Sequence, residues 1–192
     1  MSGPTVIPPG GGEVVGDSPD RRVEILCDHE RLHVTWSRFA AGRDGADLHV
    51  HRHHADHFYV LDGELTIRLE DREVAVPAGT FARVPPMVIH GFRNASDADV
   101  RYLNLHAPGE HFAQFMRGLR DGFQVPEYDQ HDPPDEGIRP PSEASLTSGG
   151  GVLCDHPELT VQELALAPGT TLTGFDACFA LDASRVLALR FT

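Results

Sequence analysis

The sequence predicts an all-β protein, an antiparallel sandwich or barrel with one short helix and extra strands in its C-terminal tail. From Val23 to Leu105, short apolar segments recur roughly every eight to twelve residues, separated by turn residues rather than helices. Within residues 64–70 the alternation is strict, because Leu65, Ile67 and Leu69 share one face. These two observations predict strands that bury one face in a common core.

One amphipathic helix is predicted after the last of these strands. Phe112, Phe115, Met116 and Leu119 fall on one face of residues 110–121, and Gly122 is a typical helix stop. We expect this apolar face to pack against the sheet.

Four regions follow from the distribution of Pro, Gly and apolar residues. We predict a flexible N-terminal arm (1–22), which could also lie along the domain edge, and a barrel plus helix (23–123). A Pro/Gly-rich acidic linker (124–151) and a tail (152–192) follow. The linker is expected to be solvated.

The tail repeats part of the barrel sequence. At an offset of 127, eight of the seventeen residues from Leu26 to Gly42 are identical to their counterparts, including Leu-Cys-Asp-His at 26–29 and 153–156. An internal duplication explains this better than chance. About 40 residues are too few for a second barrel, so the tail is expected to pack on the first barrel or on a partner chain.

Composition excludes some classes of partner. The net charge of −13 argues against nucleic acid and anionic membranes, which both attract basic surfaces. The three cysteines form no CxxC motif, which favours a reducing compartment. With neither a long apolar segment nor a signal-peptide pattern, a cytoplasmic protein is expected.

A dense histidine segment is the strongest chemical signal. Five of the twelve histidines lie between His49 and His57. His49 and His51 are two residues apart in strand-like sequence and should share a face. Asp56 follows across a turn, and His90 lies far along the chain. Three imidazoles and a carboxylate would hold a divalent first-row metal and leave positions open for substrate.

At these residues the sequence resembles the cupin superfamily. The first cupin motif is matched by His49-x-His51, Asp56 and Gly63, and the second by Gly79, Pro85, His90 and Asn94. Residues 58–63 and the segment after the barrel are similar to the quercetin-dioxygenase-like branch. The resemblance implies a cupin barrel (a double-stranded β-helix or jelly roll) in which the tail is a truncated second repeat.

Three positions depart from the cupin pattern. The acidic residue is Asp56, where the family usually has Glu, so it ligates from a closer backbone or through water. Arg43 and Met87 stand where the motifs usually have Gly. Both lie in turns, so little effect on the ligands is expected.

The resemblance implies one divalent transition metal per chain (Fe, Mn, Ni, Cu or Zn), held by His49, His51, Asp56 and His90. Asp56 could also act as a catalytic base. His53 is expected at the rim, His54 in solvent and His57 facing away from the metal, while His106 could face inward. The predicted substrate pocket comprises Phe58, Phe81, Met87 and Phe92.

Four functions remain open at this point, one of them a storage-like or structural cupin that uses the barrel for oligomerisation. The leading hypothesis is an enzyme that oxidises a small, possibly aromatic, organic substrate as a dioxygenase. The second is a zinc enzyme that uses Lewis-acid chemistry for cyclisation or isomerisation. The third is a non-enzymatic cupin that binds metal and a small ligand. A homodimer is expected from the family resemblance alone. Because fold does not fix function, the resemblance does not choose among these hypotheses.

Overall fold

A computed structural model describes residues 6–8, 10–134, 144–167 and 170–191. It confirms the predicted all-β barrel with one short helix. Within the described residues the chain forms fifteen strands and one helix: β1 (Val6–Ile7), β2 (Glu13–Ser18), β3 (Arg21–His29), β4 (Leu32–Phe39), β5 (Ala55–Asp62), β6 (Glu64–Leu69), β7 (Glu73–Pro77), β8 (Thr80–Val84), β9 (His90–Arg93), β10 (Val100–Ala107), α1 (Phe112–Asp121), β11 (Ser145–Ser148), β12 (Gly151–Asp155), β13 (Leu159–Ala165), β14 (Ala177–Ala180) and β15 (Arg185–Phe191).

The barrel is built from two sheets that enclose a common core. The larger sheet has the strand order β11-β8-β5-β10-β4-β3-β2, and the smaller one β7-β6-β9. Alternation along each strand sends one face inward: Phe58 and Val60 of β5 pack with Leu65 and Ile67 of β6, all fully buried. The same alternation places Asp56 on the inner face of β5, two residues before Phe58.

The tail strands and β1 of the N-terminal arm form a third sheet, with the order β1-β14-β15-β13-β12, which packs on the outer face of the large sheet. Outward-facing residues of the barrel meet apolar residues of the tail in a second core. Its fully buried members include Leu32, Val34, Leu105, Leu159, Val161, Phe179, Leu187 and Leu189. The tail therefore covers a large part of the apolar outer face of the large sheet.

The sequence repeat is matched by a repeat in strand geometry. In the β3–β4 hairpin Cys27 pairs with Val34, and the register shifts between Ile25 and Cys27. In the β12–β13 hairpin the pair is Cys154 with Val161, and the shift lies between Val152 and Cys154. Both pairs and both irregularities differ by the same offset of 127 as the sequence repeat. The repeat covers this hairpin, and Gly169 lies outside the described residues.

Two regions are more ordered than the sequence suggested. Residues 13–18, expected in a flexible arm, form β2 because Val15 is buried and Glu13 pairs with Arg117 and Arg120 of the helix. Residues 145–148 of the expected linker form β11, which pairs with β8. Residues 1–5, 9 and 135–143 of these regions lie outside the described residues.

Candidate metal centre

The two cupin-like motifs meet through a short backbone pairing. The amide of His49 donates to the carbonyl of His90 (2.8 Å), and the amide of His90 donates back to the carbonyl of His49 (2.9 Å). Val50 makes the same reciprocal pair with His131. Residues 49–51 are thus an extended segment held between β9 and the region after the helix, which brings the rings of His49 and His90 to a centroid distance of 4.5 Å.

The structure brings the four predicted ligands together. The Nε2 atoms of His49 and His51 are 3.1 Å apart. Oδ2 of Asp56 lies 3.4 Å from Nε2 of His90 and 3.9 Å from Nε2 of His51. All four side chains are buried, and one potential ligand atom of each lies within 4.8 Å of the others. Two ligands of one metal at about 2.1 Å are separated by roughly 3–4 Å, so this spacing suits a single ion.

Hydrogen bonds fix which ring nitrogen of each histidine faces the centre. Nδ1 of His49 donates to the carbonyl of Asp47 (2.6 Å), Nδ1 of His90 to that of Val88 (2.9 Å), and Nδ1 of His51 to that of Asp129 (2.5 Å). A carbonyl only accepts, so each Nδ1 carries the proton and each Nε2 presents a lone pair. Three lone pairs converging with a carboxylate repel one another unless a cation lies between them. The donor set therefore fits a bound metal.

The electrostatics of the site keep the ligands in their metal-binding forms. Burial lowers the pKa of His49 to about 4 and that of His51 to about 2, so both rings are neutral near pH 7. Burial alone would raise the pKa of Asp56, but the surrounding His106, His90 and His51 together hold it well below its usual range. Neutral imidazoles and an ionised carboxylate are the species that bind metal.

A buried polar chain leads away from the ligands. Nδ1 of His54 faces Oδ2 of Asp129 (3.1 Å), and Nε2 of His54 faces Nδ1 of His106 (2.8 Å). Nε2 of His106 faces Oδ1 of Asn104 (3.1 Å), and the Asn104 amide donates to Asp56. His54 was expected in solvent but is buried, because its ring forms hydrogen bonds with the Asp129 carboxylate and with His106. His106 faces inward, His57 faces away from the centre, and His53 is exposed.

His51, His54 and His106 also lie close enough to form a three-histidine group. The hydrogen bonds of His54 and His106 argue against using it for metal. The Asn104 side-chain amide donates its hydrogens to Asp56 and to the carbonyl of His57. Its Oδ1 therefore accepts a hydrogen bond from Nε2 of His106. His54 then donates from both ring nitrogens, one of them to the Asp129 carboxylate. The first group, with its free Nε2 atoms, is the better metal site.

A cavity of about 330 Å³ opens beside the predicted ligands and is lined by His49, His51 and Asp56. Of the four predicted pocket residues, only Phe92 lines it. Phe58 is fully buried in the barrel core, Phe81 faces the tail sheet, and Met87 lies in a turn. The apolar wall is formed instead by residues from three separate segments: Phe39, Phe92, Phe112, Phe115, Met116 and Tyr128.

Several site residues carried no clear signal in the sequence. Asp129 and Tyr128 lie in the acidic segment that was expected to be solvated, yet both are buried at the site. The helix face was expected only to pack, but Phe112 stacks on His106 at 3.8 Å between ring centroids and also lines the cavity. Strand alternation could have indicated Asn104 and His106, which share the inner face of β10 with Tyr102.

Comparisons with known proteins agree with this architecture. Residues 35–106 match the cupin domain family. Quercetin 2,3-dioxygenase of Bacillus subtilis (strain 168) is 27% identical over 123 residues, which cover 63% of this chain and 36% of that protein. The chain thus spans little more than a third of that relative's length.

Two solved structures resemble most of the chain. Bacterial pirin YhhW from Escherichia coli, in complex with nickel(II), aligns with a TM-score of 0.57 at 14% identity and covers 82% of this chain and 69% of its own. Protein YlbA from E. coli aligns with a TM-score of 0.53 at 15% identity, covering 81% of this chain and 61% of its own. At these identities the likeness concerns the fold.

No helix among the described residues combines the length and hydropathy needed to cross a bilayer. Both sequence motifs lie in the barrel, their histidines converge, and the matched family is the cupin domain. Residues 35–106 of the chain therefore form a cupin domain.

Proposed function

We propose that this protein is a metal-dependent enzyme acting on a small organic substrate, with dioxygenase-type oxidation as the leading reaction class. The observation that carries the proposal is the convergence of three unprotonated Nε2 atoms and the Asp56 carboxylate beside a cavity with one aromatic wall. The likeness to quercetin 2,3-dioxygenase supports the same class.

His49, His51, His90 and Asp56 would hold one divalent metal. When bound, the metal would supply open coordination positions for a substrate oxygen and, if redox-active, for O₂. The chain's own residues shape the surroundings. The rings of Phe92, Phe112 and Phe115 line the cavity and favour a substrate with an apolar or aromatic body.

Asp56 would have two roles. Its Oδ2 faces the ligand nitrogens, while its Oδ1 accepts from Asn104 and lies 3.6 Å from Nε2 of His106. The buried chain through Asn104, His106 and His54 holds this carboxylate in one orientation. These partners keep Asp56 ionised and therefore able to accept a substrate proton, although its lowered pKa makes it a weak base.

Elemental analysis and turnover together test the proposal. The purified protein should hold a stoichiometric first-row metal, and the reconstituted protein should consume O₂ with at least one flavonol or related phenolic compound. The His51→Ala variant serves as the inactive control. Full zinc occupancy with turnover but no O₂ uptake would favour the Lewis-acid cyclase or isomerase, and metal binding without turnover would favour a binding protein. A protein that cannot bind metal would refute the proposal.

A further inference from the structure

One guanidinium in the cavity lacks a partner. Arg21 lies at the start of β3 on the same inward face as Val23 and Ile25, and it lines the cavity that His49 and Asp56 also line. Its Nε is buried without a hydrogen bond, and within the described part of the chain its guanidinium forms no ion pair. Its guanidinium lies close to the backbone of Gly16, and the centroid of the Phe39 ring is 5.9 Å from its Cζ.

A second guanidinium lies in the same wall. Arg43 also lines the cavity, and its Nε is likewise buried without a partner. Its Nη1 is 3.3 Å from Oδ2 of Asp20, a half-exposed carboxylate outside the cavity. Burial lowers the pKa of Arg21 and Arg43 lowers it further, while Tyr102 and Asp20 act in the opposite direction. The two arginines are therefore close in space. Asp44 and Asp47 line the cavity too, yet neither is within ion-pair distance of Arg21.

Burying a cation without a partner is costly unless a ligand supplies the missing anion. A guanidinium presents paired N–H donors that match the two oxygens of a carboxylate. Arg43 occupies a position where the cupin motif usually has Gly, so this feature belongs to this chain and not to the motif. The cavity volume of about 330 Å³ suits one small molecule.

We propose that Arg21, assisted by Arg43, binds a carboxylate of the substrate. The substrate is then a small organic acid whose acid group lies at the arginines and whose reacting part extends towards His49, His51 and Asp56. This inference rests on the proposed function only in taking the cavity as the substrate site. It concerns the binding of the acid group and can be tested without turnover.

Calorimetric titration of the full chain tests it. The probes are benzoate, phenylacetate and salicylate, each compared with its neutral amide, and phenyl phosphate as a second anion. They are titrated into metal-loaded protein, into chelator-treated protein, and into Arg21→Gln, Arg43→Gln and Arg93→Gln variants. Arg93 is the matched control, since its Nε is also buried without a partner but it pairs with Glu73 and does not line the cavity.

At least one acid should bind about tenfold or more tightly than its amide, corresponding to ~1.4 kcal/mol or more. Arg21→Gln should abolish this preference, Arg43→Gln should reduce it, and Arg93→Gln should leave it unchanged, with equal metal content in all three. The preference should survive removal of the metal. No acid preference in the wild type, or one retained in Arg21→Gln, would overturn the proposal, as would a preference lost with the metal. Tighter binding of phenyl phosphate would overturn the carboxylate assignment.

The same experiments give a different set of results if the proposed function is wrong but the carboxylate site is right. In that case the protein would show no stoichiometric metal or no turnover, while the acid preference and its dependence on Arg21 would remain.

Discussion

The backbone carbonyl of Asp129 accepts a hydrogen bond from Nδ1 of His51, across 78 residues of chain. The carboxylate of Asp129 also accepts from the backbone amides of Arg52 (3.0 Å) and His53 (2.7 Å). One residue beyond the helix therefore sets both the ring orientation of a predicted ligand and the path of the loop that follows it. Outer partners of this kind fix the tautomer of ligating histidines.

Replacing Asp129 by Asn should weaken metal binding without removing a ligand. Burial alone would raise the pKa of Asp129, but hydrogen bonds from His54, His53 and Arg52 outweigh it and hold the carboxyl ionised. An amide cannot accept at both oxygen positions, so we expect about 10–100-fold lower metal affinity, measured by chelator competition. The exposed Asp132→Asn is the control. Equal affinity in both variants would show that the loop is held without this carboxylate.

The ligand assignment predicts a clear contrast within the histidine segment. His51→Ala and His90→Ala should each lose most of the bound metal, because each removes one of four converging donors. His53→Ala should keep it, since that side chain is exposed. Metal per chain, measured by elemental analysis on folded protein, checks the prediction. Full occupancy in both His51→Ala and His90→Ala would contradict the assignment.

Stability should depend on pH through His33. This residue is buried against Phe112, neither ring nitrogen has a partner among the described residues, and burial lowers its pKa to about 3. In the unfolded chain a histidine takes up a proton near pH 6.5. Between these values the unfolded state holds one more proton, so stability falls as pH falls, by up to about 1.4 kcal/mol per pH unit.

The His33→Phe variant should remove the part of this dependence that His33 contributes, while other buried histidines such as His49 and His51 keep theirs. Between pH 6 and pH 4 we expect it to lose about 2–3 kcal/mol less unfolding free energy than the wild type. Urea unfolding at several pH values, on chelator-treated protein, measures the difference. His53→Ala should retain the wild-type slope. An unchanged slope in His33→Phe would show that His33 is not the group responsible.

Local sequence patterns predicted the barrel well, and the four residues that converge at the candidate metal centre were found from motif spacing. Strand alternation is a local property, so Asp56 could be placed inward from the positions of its neighbours. The residues that line the cavity could not be predicted from strand alternation. Phe81 faces the tail sheet and not the cavity because its strand presents the opposite face at that position, and Asp129 reaches the site from a segment whose composition resembles a linker. Contacts between distant segments leave no periodic signal.

The turn before His90 offers a test of backbone strain. Met87 has φ of 67°, where the cupin motif usually has Gly, and its amide donates to the carbonyl of His51 (2.7 Å). A side chain in this conformation costs roughly 1–2 kcal/mol, partly offset by the flexibility that Gly adds to the unfolded chain. We expect Met87→Gly to be about 0.5–1 kcal/mol more stable to urea than Met87→Ala, which loses the same packing but keeps the strain. Equal stability of the two variants would show that the turn is unstrained.

The tail should be required for a soluble barrel. It covers outward-facing Leu32, Val34 and Leu105, and polar links add to the packing: Tyr59 donates to Glu163 (2.7 Å), and Arg83 pairs with Glu158 (2.6 Å). Removing residues 151–192 would expose this apolar face, which favours aggregation. We expect the truncated chain to aggregate in size-exclusion chromatography, where the intact chain gives a defined peak.

A point substitution tests the packing between tail and barrel without removing any part of the chain. Phe179→Ala, in the buried core between tail and barrel, should lower the unfolding free energy by about 3–5 kcal/mol. Val152→Ala removes an exposed side chain of the same sheet and should cost far less. Because both cores share the large sheet, Phe179→Ala should also lower the temperature at which the metal is released. A monodisperse truncated chain with wild-type melting would show instead that the tail is dispensable for the barrel.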